Sequence, residues 1–296
     1  MPLPPPTPQD DSSSSTGDPH LTFAHGGRAD FKGEHNAWYN MLSARNASLN
    51  VLFVHDDFRN PYKLVHGSAM KAAAWSFRTN ETGRLVTVEY NASAELPNRA
   101  LIRVSDSKAA VWLGHGSRPF KLENVRVEMR EKKQVGMGRR GAWHGMALIV
   151  SSGLWRTNVW NKPFPNFAAN LGKALLNIHI EPLYDADSDP VAPHGLIGQS
   201  YDGDGQAVNG KMDDYSEAEV ITEAMAEGAI EGVASEYKMA EKWATAFKYA
   251  RFDATAAKHR DVTQLSGEKP LRKEGEPVPL GAGGEGGAGA APDVED

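Results

Sequence analysis

Five side chains in one short stretch carry the oxygen chemistry needed to hold a cation: Asp202, Asp204, Asn209, Asp213 and Asp214, interleaved with Gly203, Gly205 and Gly210. Calcium takes about six to eight oxygen ligands, and a glycine-rich loop lets several carboxylates and carbonyls face one point. The spacing is not that of an EF-hand, whose loop ends on a Glu and is flanked by helices. The same residues also suit a solvated hairpin turn, because Asp-Gly pairs are strong turn formers. Both readings stand on the sequence.

His20, His25 and His35 are the next candidates, since histidine is a common metal ligand. No acid–histidine spacing of a known metal site accompanies them, so His20 is expected to hydrogen-bond within a turn. Asp18 is expected to accept backbone N–H groups there. Enzyme signatures are missing: there is no Gly-x-Ser-x-Gly elbow and no Gly-Lys-Ser/Thr phosphate loop. Gly136-Met137-Gly138-Arg139-Arg140-Gly141 suits a turn better than a dinucleotide site. Trp155, Trp160, Phe164 and Phe167 share a segment with Asn158, Asn161 and Asn166. Core packing is the default for these aromatics, with sugar stacking or partner anchoring as the alternative. Asn46-Ala47-Ser48, Asn80-Glu81-Thr82 and Asn91-Ala92-Ser93 are glycosylation sequons that matter only in an exported protein.

The scaffold that must position these groups has 296 residues, 40% of them hydrophobic and 24% charged, an ordinary globular composition. With a net charge of -6, general nucleic-acid binding is not expected. Arg126, Arg130, Lys132, Lys133, Arg139 and Arg140 form a local basic run, read as a solvated strand and loop. Cysteine is absent, which excludes disulfides, thiolate zinc sites and thiol nucleophiles, and makes any oligomer non-covalent. No stretch approaches the roughly 18 apolar residues of a membrane helix, so no membrane insertion is expected. Residues 1–11 lack the basic start and apolar run of a signal peptide.

Residues 1–16 are rich in Pro and Ser and read as a linker; residues 257–296 are charged, then Gly-rich, and read as a disordered tail. Between them, residues 17–256 form the expected folded domain. Its strand candidates are 38–42, 51–54, 72–78, 85–90, 100–104, 110–113, 124–129, 142–150, 154–160 and 176–180. Turn chemistry at 80–83, 96–98, 114–116 and 136–138 separates them. The expected fold is mainly β, an antiparallel β-sandwich or stacked sheets with short C-terminal helices. Those helices come from Ile221, Met225, Ile230, Val233, Tyr237, Ala240, Ala244 and Phe247, which recur at helical spacing behind a Ser216/Glu219 capping box. Gly228 and Gly232 would break the run in two.

Gly17-Asp18-Pro19-His20-Leu21-Thr22-Phe23, followed by Gly26-Gly27-Arg28-Ala29-Asp30-Phe31-Lys32-Gly33, resembles the opening of the von Willebrand factor type D domain. There a GDPH run precedes a Thr-Phe-Asp-Gly turn and a Phe-Asp-Phe-x-Gly strand. His194-Gly195-Leu196-Ile197-Gly198-Gln199-Ser200-Tyr201-Asp202-Gly203, then Asp213-Asp214-Tyr215, resembles the family's closing segment. The closing wording is also similar to the C-terminal region of inter-alpha-trypsin inhibitor heavy chains, with Gly228, Gly232 and Glu236-Tyr237 following in step. That likeness implies extended structure near 229–237, against the helical spacing. The chain departs from the type D pattern at Ile197, where a cysteine is usual. It departs again at Ala24-His25, where the turn's acid is missing, and at Gln199-Ser200, which replace a single Asn.

The resemblance implies a calcium loop in the region of Asp202 to Asp214, with water or a backbone carbonyl replacing the missing acid. It also implies a non-enzymatic structural or adhesive module with a protein or glycan partner, in an extracellular matrix or at a cell surface. A carbohydrate-active hydrolase or lectin on a β-sandwich, and a cytosolic scaffold, are the alternative expectations.

Overall fold

The hairpins expected from the turn signals stack into two sheets. The structure, a computed structural model, describes residues 12–60, 62–93, 99–134, 143–163 and 174–255. Strands are numbered in chain order. The first sheet runs β10 (Phe120–Leu122), β11 (Val125–Gln134), β12 (Trp143–Ser151), β13 (Trp155–Pro163), β14 (Ala174–Pro182), β1 (Ser13–Thr16), β2 (His20–Thr22) and β3 (Arg28–Asp30). The second runs β16 (Lys238–Met239), β4 (Ala37–Ala44), β5 (Ala47–Asn60), β6 (Lys63–Arg78), β7 (Leu85–Asn91), β8 (Ala100–Val104) and β9 (Val111–Leu113). Pairing is antiparallel except that β15 (Glu219–Ile221) lies parallel to the start of β6, on the edge that β7 leaves free.

The architecture is therefore the expected β-sandwich, and all ten strand candidates fall on strands. Period-2 alternation explains why. Val86, Val88 and Tyr90 of β7, Val125 and Val127 of β11, and Leu176, Ile178 and Ile180 of β14 all turn inward. They meet Tyr39, Phe53, Trp75, Leu148 and Val159 in one core. Phe31 packs edge-on against Tyr39 and Phe53 at 5.1 Å from each. Across the layers, Trp75 Nε1 on β6 donates to Thr157 Oγ1 on β13 at 2.9 Å, satisfying a buried indole. The continuously apolar residues 51–54 are covered on both faces: Val51 and Phe53 join the main core, while Val54 lies in a second apolar cluster with Phe58, Val65, Leu175 and Val220, against which Leu52 packs.

Two expectations need correction. Ser13–Thr16, at the end of the stretch read as linker, forms β1 in the interior of the first sheet, between β14 and β2. Its serines gave no apolar signal, yet Ser13 and Ser15 are buried. After Ser216 there is no α-helix among the described residues, only β15, β16 and a 3-10 turn at Ala234–Tyr237. Ser216 N–H is taken by Asp214 Oδ1 at 2.8 Å, and Glu219 opens a strand, so no capping box forms. Ala226, Gly228 and Gly232 adopt left-handed φ of 60°, 84° and 66°, which an α-helix does not tolerate. Of the helically spaced residues Ile230 and Tyr237 are buried while Ile221 and Val233 are exposed, so the spacing marks no continuous apolar face. The extended structure implied for 229–237 is interrupted by that same 3-10 turn. Residues 1–11 and 256–296, the 96–98 turn, and Gly136 to Gly141 lie outside the described residues.

Candidate functional site

Gly17, Asp18 and Pro19 are the turn between β1 and β2, and Gly17 holds φ at 71°, a value that suits a residue without Cβ. Gly17 N–H is tied to Asn177 Oδ1 on β14 at 3.1 Å. The turn points the Asp18 carboxylate away from the first sheet and onto β6 of the second. There Asp18 Oδ1 accepts Ser68 N–H at 2.7 Å, and Oδ2 accepts the Tyr215 hydroxyl at 3.1 Å. Gly67 is needed for this approach, since a Cβ there would overlap the carboxylate. Asp18 is 8% exposed, and its burial pushes the carboxyl pKa up to about 6.

His20, the first residue of β2, lies opposite Asp30 of β3, and its Nδ1 is 2.6 Å from Asp30 Oδ1. That hydrogen bond raises the imidazole above its ordinary pKa. Asp30 Oδ2 accepts Asp213 N–H at 2.8 Å. The Tyr215 ring meets the His20 ring edge-on at 5.5 Å, and burial beside these acids raises the Tyr215 hydroxyl. The opening GDPH turn and the Asp213-Asp214-Tyr215 segment, far apart in the chain, therefore meet in one polar cluster. Asp18 does accept a backbone N–H, as expected, but from across the sandwich.

The five residues of the acidic loop each hydrogen-bond a nearby backbone amide. Asp202 Oδ1 accepts Asp204 N–H at 3.3 Å, and Asp204 Oδ1 accepts Gln206 N–H at 2.7 Å. These are short Asx turns, and Asp214 makes a third with Ser216 that holds its carboxyl below the usual range. Asn209 Oδ1 takes Arg28 N–H at 3.0 Å. Asp213 Oδ1 takes Glu223 and Ala224 N–H at 2.7 and 3.0 Å. Among the described residues no group of three His, Cys, Asp or Glu side chains is placed to hold a metal. In each of the five residues one side-chain oxygen accepts a backbone N–H.

The three histidines are also dispersed. His25 sits 3.3 Å from Asp187, and His35 Nδ1 accepts His55 N–H at 3.0 Å. The aromatic segment splits by strand parity: Trp155 and Asn161 face inward, while Asn158 and Trp160 face outward. Phe164, Asn166 and Phe167 lie outside the described residues. In the basic run, Arg126 and Arg130 bracket Glu128 at 2.6 and 2.5 Å; Arg139 and Arg140 are outside the described residues.

Sequence reading missed a second cluster, built on the closing motif. A bulge in β4 at Met41 presents the Asn40 and Met41 carbonyls to Leu196 and Ile197 N–H. Gly195 (φ 105°) lets the chain press against β4, where a Cβ would strike Asn40 and Met41. Gln199, wholly buried, donates to Gly195 O and Tyr237 Oη at 2.9 and 3.0 Å and accepts Glu231 N–H at 2.8 Å. His194 stacks on Tyr249 at 4.5 Å and meets Glu231 Oε2 at 3.1 Å. Only the motif's resemblance signalled that these residues matter; the partners Glu231 and Tyr249 had no sequence signal.

No protein-family model matches the chain, and no curated protein matches it in sequence.

Proposed function

We propose that this chain is a non-enzymatic structural or adhesive binding module of an extracellular matrix or cell surface, whose motif residues hold the sandwich closed. The observation that carries this reading is how the motif oxygens are used. Both oxygens of Asp18 and of Asp30, and Oδ1 of Asp213, serve hydrogen bonds that tie β1–β3, β6 and the strap together. Each of these oxygens accepts a hydrogen bond from the protein's own groups, which suits a fastening role. The likeness of both ends of the domain to the type D pattern supports the same reading. Any self-assembly is non-covalent, since there is no cysteine.

The test is a capture assay with the full chain on immobilised glycans and matrix proteins, with product analysis of whatever is captured. His20→Gln, checked for folding, is expected to retain capture, and the captured ligand is expected to be recovered intact from the parent. Turnover by the parent that His20→Gln abolishes would overturn the reading and put a hydrolase in its place.

A further inference from the structure

At one end of the sandwich the hairpin turns of the two sheets border a cavity of about 330 Å³. Arg45 and Asn46 come from the β4–β5 turn, and Arg78 and Asn80 from the end of β6 and the turn after it. Asn124 comes from the β10–β11 turn and Leu154 from the β12–β13 turn. The volume is at the small end of cavities that take small molecules. Its walls are braced across the sandwich. Asn124 Oδ1 accepts Asn80 N–H at 3.0 Å, and Asn124 Nδ2 donates to Ser152 O at 2.6 Å.

The polar groups of this cavity are held in place without being used up. Arg45 Nη2 donates to both oxygens of Asp189 at 3.0 and 3.1 Å, and Asp189 is fixed in turn by the Tyr184 hydroxyl and Val191 N–H. Arg78 Nη2 donates to Asp253 at 2.6 Å, with its guanidinium over the Phe252 ring at 5.2 Å. Each carboxylate takes only Nη2, so Nε and Nη1 of both arginines have no hydrogen-bond partner among the described residues. The side-chain amides of Asn46 and Asn80 have none either, although the backbone of each residue is bonded. A left-handed φ of 60° accounts for an Asn at position 46, but no such strain accounts for the one at position 80. Leu154 adds apolar surface, 40% exposed, beside the similarly exposed Leu183, whose N–H bonds to Leu154 O at 2.7 Å.

A guanidinium edge seeks a carboxylate, amides exchange hydrogen bonds with hydroxyls, and an apolar wall takes a C–H face. We propose that this cavity binds a carboxylated sugar unit, with its carboxylate at Arg45 and Arg78, its hydroxyls at Asn46 and Asn80, and its C–H face on Leu154. This rests on the binding-module reading and names its partner class. A nucleotide is the poorer occupant, because among the described residues no aromatic side chain lines the cavity to stack a base. A peptide C-terminus offers the same charge without the hydroxyls.

The experiment is calorimetric titration of the full chain, made in bacteria so that the Asn46 and Asn80 sequons stay unmodified. The probes are glucuronate, galacturonate, glucose, galactose and a short peptide ending in leucine. The expected result is binding of a uronate at least about tenfold tighter than its neutral counterpart, weakening as salt rises. Asn46→Asp and Asn80→Asp keep the side chain's size but set a carboxylate against the ligand's, and each is expected to weaken uronate binding about tenfold or more. Arg45→Lys keeps the charge without the planar fork, and is expected to weaken it about tenfold. Melting temperatures compared with the parent's separate lost binding from lost folding; Asn80, exposed and without a side-chain bond, can change without loosening its turn. Absence of uronate binding overturns the proposal, as does equal binding of the neutral sugars or tighter binding of the peptide. So does uronate binding that none of the substitutions changes; in that case the module binds sugar elsewhere and its reading stands. Failure of the parent to capture any immobilised glycan or matrix protein would instead remove the module reading itself.

Discussion

The two polar clusters that fasten the C-terminal strap to the sheets are built from similar groups but stand in different surroundings. At the closing motif, His194 and Gln199 are wholly buried, and a neutral amide is the hub that satisfies Gly195, Glu231 and Tyr237. At the opening motif the hub is ionic, and the His20 side chain is 44% exposed beside a nearly buried Asp30. The Gln199 amide at the hub of the closing cluster does not titrate, whereas the Asp18 carboxyl buried at the rim changes charge near neutrality. The first region should therefore set how stable the domain is, and the second how that stability varies with pH.

The largest effect tests the sealed cluster. Gln199→Leu leaves Glu231 N–H without its partner in a dry site and removes the amide that the Tyr237 hydroxyl meets, and should cost about 3 kcal/mol. Chemical denaturation measures it; a loss under about 1 kcal/mol would mean that backbone packing alone secures the strap.

The next effect concerns pH. Asp18 titrates near 6 in the fold against an ordinary value of 3.8. A carboxyl raised on folding contributes stability that is fully present below its unfolded pKa and is lost as pH rises through its folded pKa. His20, also raised, contributes stability that is present below its ordinary 6.5 and is lost as pH rises through its folded value. Both signs agree: stability should fall from about pH 4 upward, by about 2–3 kcal/mol from Asp18. Asp18→Asn should remove the part between about 4 and 6, while His20→Gln should remove only the part above it. Melting curves from pH 4 to 8 distinguish them, and a parent stability that rises across this range would contradict the assignment.

Smaller still is Asp213→Ala, which frees the Glu223 and Ala224 amides at a partly exposed point and should cost about 1–2 kcal/mol by urea midpoint. Calcium comes last. Because the acidic-loop oxygens serve separate amides, millimolar calcium should leave the melting temperature unchanged. A rise that grows with calcium and vanishes in Asp202→Asn would restore the loop as a cation site.

The sequence revealed the sandwich where alternation is strong, as in β7 and β14, whose inward Val and Ile residues leave little choice of face. It failed at β1, where Ser13 and Ser15 are buried by their place between β14 and β2 and not by any apolar character. It failed again in the strap, where the helically spaced Ile221 and Val233 are exposed and left-handed Ala226, Gly228 and Gly232 exclude a helix. The functional groups were half legible. Asp18, His20 and Asp213 were marked by type and motif, but their convergence depends on the β1–β2 turn reaching β6, which no local pattern encodes.

That convergence is the central claim, and a double-mutant cycle between Asp18→Asn and Tyr215→Phe measures it directly. The two residues are 197 positions apart in the chain and joined by one hydrogen bond of 3.1 Å between partly buried groups. Their substitutions should be coupled by about 1 kcal/mol or more at neutral pH. Losses that add to within about 0.3 kcal/mol would show that the opening turn and the Asp213–Tyr215 segment act independently, and would contradict their convergence.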